Sequence, residues 1–144
     1  MRTSDDLVLI LGPFCGLPAV VNIPFGQGVC GAVAAQKRTK LVPDVHAEPN
    51  HIACDSASQS EIVVPVFTSC SSSSSSSTSS LSSASKLAAV LDIDCPEVGG
   101  FDEEDQQHLE RITALLGEAC DWTNLCSPVH HSETQLTACA HVKI

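Results

Sequence analysis

Aromatic residues are scarce in this chain of 144 residues, of which 3% are Phe or Trp and none is Tyr. The hydrophobic core must therefore be built mainly from Val, Leu, Ile and Ala. Hydrophobic residues still make up 43% of the chain, which is within the range of a folded globular protein. A chain of this length predicts one domain.

Basic residues are also few, because 7 Lys and Arg stand against 17 Asp and Glu, for a formal net charge of −10. Nucleic acids and anionic membrane surfaces attract clustered Lys and Arg, so the sequence predicts neither as a partner. No apolar run approaches the roughly 20 residues of a membrane helix. The chain starts with Asp5 and Asp6 before a short apolar run, which is not typical of a signal peptide.

The sequence has no C-x-x-C motif, although it contains 8 cysteines. Their spacings are wide and irregular, unlike the many short loops of a secreted disulfide scaffold. Without a secretion signal, the pattern predicts a reducing compartment, and hence a cytoplasmic protein. In such a compartment, reactive or simply buried thiols are expected rather than structural disulfides.

Two segments lack the composition of a packed core. Residues 69–85 have Ser at thirteen of seventeen positions, between strand-like runs at 61–67 and 86–94. A serine tract buries little apolar surface, so we expect a disordered insertion between two hairpin strands, with a phosphorylated regulatory loop as the alternative. Residues 120–144 lose all periodicity and are expected to be a disordered tail. Their Cys and His residues match no zinc-site spacing.

The strand predicted at 86–94 carries two carboxylates. Side chains alternate across a strand, which places Asp92 and Asp94 on one face. Two unpaired carboxylates are costly to bury. They are therefore either solvated at the strand end or turned into a pocket where a cation compensates them.

A helix is predicted after Asp102, a suitable N-cap followed by three acidic residues that the helix dipole favours. Apolar residues then recur at helical spacing, which predicts one face packed on a sheet. This face consists of Leu109, Ile112, Leu115, Leu116 and Ala119.

Two cysteines stand in settings that favour chemistry. Cys30 follows a Gly-rich turn at the start of a predicted helix, where the dipole lowers the pKa of a thiol. Cys54 lies in a polar loop, three residues after His51, and a thiol beside an imidazole is a candidate nucleophile. For either residue, a buried or idle cysteine is the alternative.

Seven motifs stand in the order found in one family. They are LGPF (11–14), IPFGQGVCG (23–31), VPDVH (42–46), HIACD (51–55), SEIVVP (60–65), VLDID (90–94) and FDEED (101–105). Together they resemble the GAF-domain free methionine-(R)-sulfoxide reductases. The resemblance covers residues 7–119 as one GAF-like domain, apart from the serine tract. Its most specific feature is the pair GVCG and HIACD, with cysteines 24 residues apart.

The resemblance implies reduction of free L-methionine (R)-sulfoxide to methionine. A thiolate attacks the sulfoxide sulfur, an acid protonates the leaving oxygen, and a sulfenic acid remains on the cysteine. A second thiol condenses with it to a disulfide, which thioredoxin then reduces. The resemblance implies no metal and no organic cofactor.

By the family's pattern, Cys54 and Cys30 are the two redox thiols. We favour Cys54 as the nucleophile and Cys30 as the resolving thiol, and the reverse order stays open. The substrate-binding pocket would be formed by Glu61, Asp92 and Asp94. These carboxylates would hold the substrate ammonium and supply or orient the proton for the leaving oxygen. This role favours Asp92 and Asp94 facing a pocket over their being solvated at the strand end.

The chain also departs from the family pattern. Val20 stands where family members usually carry a third cysteine, and Cys15 is a weak substitute because its odd offset points to the opposite strand face. The segment that precedes LGPF in the family, a helix and an inner aromatic strand, has no counterpart. The fold implied is α+β, an antiparallel GAF-like sheet flanked by helices but without these two elements.

Three alternatives stay open. The chain is an active reductase, a non-catalytic GAF module that binds a small ligand or senses redox state, or an inactive truncated relative. A homodimer, common among GAF proteins, is compatible with each.

Overall fold

The structure is a computed structural model that describes residues 7–16, 20–49, 51–52, 56–69, 85–122 and 136–143. These residues form six strands and two helices. In chain order the elements are β1 (Val8–Cys15), β2 (Asn22–Pro24), α1 (Gly28–Gln36), β3 (Lys40–Val42), β4 (Ser60–Ser69), β5 (Ser85–Cys95), α2 (Glu103–Ala119) and β6 (Leu136–Lys143).

One sheet contains all six strands, in the order β2-β1-β6-β5-β4-β3. Three neighbouring pairs are antiparallel, and β6 runs parallel to both β1 and β5. The sheet and its two helices confirm the predicted α+β fold class. No helix in the described part of the chain is both long and apolar enough to cross a membrane.

The two helices cover opposite faces of the sheet, as the alternation along β4 demonstrates. Val63 belongs to the core cluster of α1, whereas Ile62 and Val64 belong to a second cluster that includes Leu109 of α2. The larger cluster, on the α1 face, is made of Leu9, Ile23, Val29, Cys30, Val33, Ala34, Val42, Val45, Val63, Leu87 and Val90. The core is therefore aliphatic, as the composition predicts.

The end of the chain differs from the expectation of a disordered tail, of which residues 123–135 lie outside the described residues. Leu136–Lys143 forms β6, in the middle of the sheet between β1 and β5. Without β6, these two strands would present unpaired N–H and C=O groups along two edges, and pairing with β6 satisfies them. The sequence LTACAHVK alternates apolar and polar residues, which is the pattern of a strand.

The serine tract begins and ends inside regular structure. Strands β4 and β5 pair antiparallel, as predicted, and Ser69 pairs with Ser85 at their open end. The first and last residues of the tract therefore extend the strands. Residues 70–84, with the disorder and phosphorylation hypotheses that concern them, lie outside the described residues.

Helix α2 begins as predicted but buries a different face. Asp102 accepts hydrogen bonds from the backbone N–H groups of Glu104 and Asp105, and forms a capping box with Asp105. Of the predicted apolar face, Leu109 packs against the sheet. The prediction is wrong for Ile112, Leu115 and Leu116, whose exposed fractions are 48%, 65% and 37%.

Small residues explain the orientation of α2. Thr113 and Gly117 are the buried residues of the helix. A Cβ atom on Gly117 would lie 1.8 Å from the carbonyl oxygen of Phe67, so the helix approaches the backbone of β4 through this glycine. The close approach of the helix backbone to the strand therefore sets the orientation of α2, and most of the apolar stripe stays exposed.

Candidate functional site

The first turn of α1 buries a thiol against the sheet. Gly26 and Gly28 have φ of +86° and +61°, a left-handed backbone that glycine adopts readily, and they lead the chain into the helix. A Cβ on Gly31 would lie 2.4 Å from the carbonyl oxygen of Pro24, so α1 approaches β2 closely at this point. Cys30, between these glycines, is 4% exposed and lies near the helix start, as predicted.

Three carboxylates lie beneath this turn. Glu61 of β4 pairs in register with Asp94 of β5, and Asp92 pairs with Val63. Side chains opposite each other across antiparallel strands share a face, so all three carboxylates lie on the α1 face. Their exposed fractions are only 4–5%, which excludes the solvated interpretation of Asp92 and Asp94.

Direct contacts connect the thiol with the carboxylates. The Cys30 thiol donates a hydrogen bond to Asp92 Oδ2 at 3.1 Å. Cys30 Sγ, one carboxylate oxygen of Glu61 and one of Asp92 lie within 4.8 Å of one another. Cys30, Glu61 and Asp92 therefore form a single buried cluster, which we call the thiol–acid cluster.

Two further residues contact these carboxylates, and neither is among the site residues predicted from the sequence. His51 Nε2 lies 3.6 Å from Glu61 Oε2. The Ser58 hydroxyl, 3% exposed, donates to Asp94 Oδ1 at 2.5 Å. His51 was visible as part of the HIACD motif, whereas Ser58 stands in a polar loop that has no distinguishing pattern.

The second predicted thiol, Cys54, lies outside the described residues. Its described neighbour Ile52 lies against the start of α1, with Cδ1 3.1 Å from where a Cβ on Gly28 would be. Cys15 is exposed at the end of β1, and Val20, at the position of the family's third cysteine, is 38% exposed.

A separate cavity of about 650 Å³ lies on the other side of the molecule, between α2 and β4. Its walls include Lys37, Arg38 and Glu110, but none of the candidate site residues. The thiol–acid cluster, and not this cavity, combines a nucleophilic group with groups that can hold a cation or move a proton.

Comparison with known proteins identifies the family of this chain. The model of the GAF domain family matches residues 14–120. Free methionine-R-sulfoxide reductase of Saccharomyces cerevisiae is 42% identical over 119 residues, covering 83% of this chain and 58% of the yeast protein. The Escherichia coli enzyme of the same name is 40% identical over 112 residues, covering 78% of this chain and 59% of that protein.

Solved structures give the same result. The X-ray structure of free methionine-R-sulfoxide reductase from Neisseria meningitidis in complex with its substrate has a TM-score of 0.57 and 39% identity. The match covers 72% of this chain and 53% of that one. This chain thus spans less than two thirds of the length of these relatives. Since the family model matches most of the chain, the chain belongs to the GAF domain family.

Proposed function

We propose that this protein reduces free L-methionine (R)-sulfoxide to methionine by thiol chemistry at the thiol–acid cluster. One observation carries the proposal: the buried Cys30 thiol donates to Asp92 beside Glu61. The similarity to named free methionine-R-sulfoxide reductases supports it, since it extends over most of this chain.

The proposed reaction begins at Cys54. Its thiolate attacks the sulfoxide sulfur, and the sulfoxide oxygen takes a proton and passes to the cysteine as a sulfenic acid while methionine leaves. Cys30 then attacks the sulfenic sulfur, which forms a Cys54–Cys30 disulfide and releases water. The position of Ile52 against Gly28 favours this pairing, because Gly28 and Cys30 share the first turn of α1.

The carboxylates would hold the substrate and provide the proton. Free methionine sulfoxide carries an ammonium group, which Glu61, Asp92 and Asp94 would compensate in a site that excludes water. Asp92 is the candidate for orienting or supplying the proton at the leaving oxygen, because it already contacts a redox thiol. Ser58 would hold Asp94 in position.

Regeneration would need an external dithiol. We propose thioredoxin, which reduces a protein disulfide through a mixed-disulfide intermediate. A reducing compartment such as the cytoplasm would keep the pair reduced between turnovers.

The test is a thioredoxin-coupled assay that follows NADPH consumption with the R and S epimers of free methionine sulfoxide. We expect turnover of the R epimer only. In single-turnover reactions, Cys54→Ser should form no methionine. Cys30→Ser should form methionine once and then stop, because no thiol resolves the sulfenic acid.

Cys120→Ser is the matched control, since Cys120 is exposed at the end of α2. It should turn over like the parent protein. Steady turnover by both Cys54→Ser and Cys30→Ser would refute the thiol mechanism. Tight sulfoxide binding without turnover in the parent protein would instead favour a non-catalytic GAF module.

A further inference from the structure

The thiol–acid cluster also contains the donor atoms of a metal site. Thiolate, carboxylate and imidazole are the protein ligands of zinc. Cys30 and the two carboxylates each offer one ligand atom, and these atoms lie within 4.8 Å of one another. His51 adds an imidazole nitrogen 3.6 Å from Glu61 Oε2.

The distances are close to those of a tetrahedral zinc site. Zinc bonds of about 2.0–2.3 Å at tetrahedral angles place neighbouring ligand atoms about 3.3–3.7 Å apart. The Cys30–Asp92 and His51–Glu61 distances, 3.1 Å and 3.6 Å, are near these values. Small side-chain movements would bring the other pairs among Cys30, Glu61 and Asp92, now within 4.8 Å, to the same spacing. His51 joins them through its distance to Glu61 alone.

The chemistry of the donors selects among divalent cations. Mg²⁺ and Ca²⁺ prefer oxygen ligands, whereas a thiolate with an imidazole favours Zn²⁺. A divalent cation would also compensate the negative charge of two carboxylates that are only 4–5% exposed.

We propose that the reduced protein binds one Zn²⁺ ion through Cys30, Glu61, Asp92 and His51, and that this ion reversibly blocks the site. On binding, the Cys30 thiol releases its proton and a Zn–S bond forms, with no change in oxidation state. The ion occupies the carboxylates that would hold the substrate ammonium and withdraws the resolving thiol. The ion would be an inhibitor and not a cofactor. The inhibition rests on the proposed function, whereas zinc binding does not.

The test measures alkylation of Cys30 in the full chain, reduced and freed of metal, by mass spectrometry of the peptide that contains it. Equimolar Zn²⁺ should slow alkylation of Cys30 by about tenfold or more, since thiolate ligation removes the nucleophile. Alkylation of Cys95 and Cys120 should be unchanged, and a chelator should restore the reactivity of Cys30. Mg²⁺ should have no effect.

Variants separate this site from any other zinc site in the chain. Asp92→Asn, Glu61→Gln and His51→Ala should each weaken zinc protection of Cys30 by about tenfold or more. His46→Ala, which removes an exposed imidazole from the same loop region, is the matched control and should leave protection unchanged. Zinc binding that leaves Cys30 unprotected, or protection insensitive to all three variants, would overturn the proposal.

A single-turnover reaction without added reductant tests the inhibition. Methionine formation by the reduced protein should stop with equimolar Zn²⁺ and return with chelator. If zinc protects Cys30 but the protein never forms methionine, the metal site is supported and the reductase proposal is refuted. If the protein forms methionine but zinc does not protect Cys30, the reductase proposal is supported and the metal site is refuted.

Discussion

The Cys30 thiol, carried by α1, and the Asp92 carboxylate, carried by β5, are joined by a buried hydrogen bond of 3.1 Å across 62 residues of sequence. This contact couples the candidate redox thiol to a candidate proton donor. It exists because the first turn of α1 lies over the strand face that carries the carboxylates.

We expect Asp92→Asn to lower kcat/KM for free methionine (R)-sulfoxide by about 10²-fold or more. The amide can still accept from Cys30, but it can neither supply a proton to the leaving oxygen nor balance the substrate ammonium. The coupled assay measures the loss, and thermal unfolding verifies that the variant folds. Glu97→Gln, an exposed substitution, is the control. Unchanged kcat/KM in Asp92→Asn would contradict the role of this carboxylate.

Ser58→Ala should destabilise the fold by about 1–3 kcal/mol, because it removes a donor to a buried carboxylate. Ser58 and Asp94 are 3% and 4% exposed, so water replaces the lost hydroxyl poorly. Urea unfolding measures the change against Ser56→Ala, an exposed neighbour expected to stay within about 0.5 kcal/mol of the parent protein. Equal unfolding midpoints for the two variants would rule out a structural contribution of this hydrogen bond.

For Gly117→Ala, helix propensity and packing predict changes in stability of opposite sign. Helix propensity alone predicts that alanine stabilises a helix interior by about 1 kcal/mol relative to glycine. The added Cβ would lie 1.8 Å from the carbonyl oxygen of Phe67, and overpacking of this kind costs about 1–3 kcal/mol. We therefore expect a lower melting temperature. An exposed substitution in the same helix, Gln107→Ala, should be nearly neutral. A higher melting temperature for Gly117→Ala would refute the packing of α2 on β4.

Deletion of residues 136–144 should abolish cooperative unfolding. Strand β6 pairs with β1 on one side and β5 on the other, so its loss opens the middle of the sheet. Circular dichroism in urea and binding of a hydrophobic dye measure the effect. A chain shortened by Ile144 alone is the control.

A point substitution tests β6 without shortening the chain. Ala138 is the register partner of both Ile10 and Ala89. Ala138→Pro removes a backbone donor from a central strand and should destabilise the sheet strongly. An unfolding midpoint equal to that of the parent protein in both this variant and the deletion would contradict the position of β6.

Local patterns were sufficient to predict part of the site. The alternation along β5 put Asp92 and Asp94 on one face, and the Gly-rich turn put Cys30 at a helix start. These features depend on neighbours a few residues apart, which a sequence displays directly. Whether the carboxylates were solvated or buried depended on what covers the strand, and a strand pattern contains no information about that cover.

Helix α2 demonstrates where such patterns fail. Its apolar stripe predicted the buried face, but only Leu109 of that stripe packs on the sheet, and the buried residues are Thr113 and Gly117. The choice depends on how closely the helix backbone approaches Phe67, a residue 50 positions away from Gly117 in the sequence. Periodicity identifies an apolar face but not the surface that it meets.

The amino-acid sequence by itself determined the aliphatic core, the paired strands on either side of the serine tract, the capped start of α2 and the residue types of the site. The tertiary structure decided that Leu136–Lys143 completes the sheet, and that His51 and Ser58 reach Glu61 and Asp94. The physical reason is the sequence separation of the residues that interact. Turns, caps and alternation are set by residues close together in the chain, whereas strand order and buried contacts are set by the total free energy of packing distant segments together.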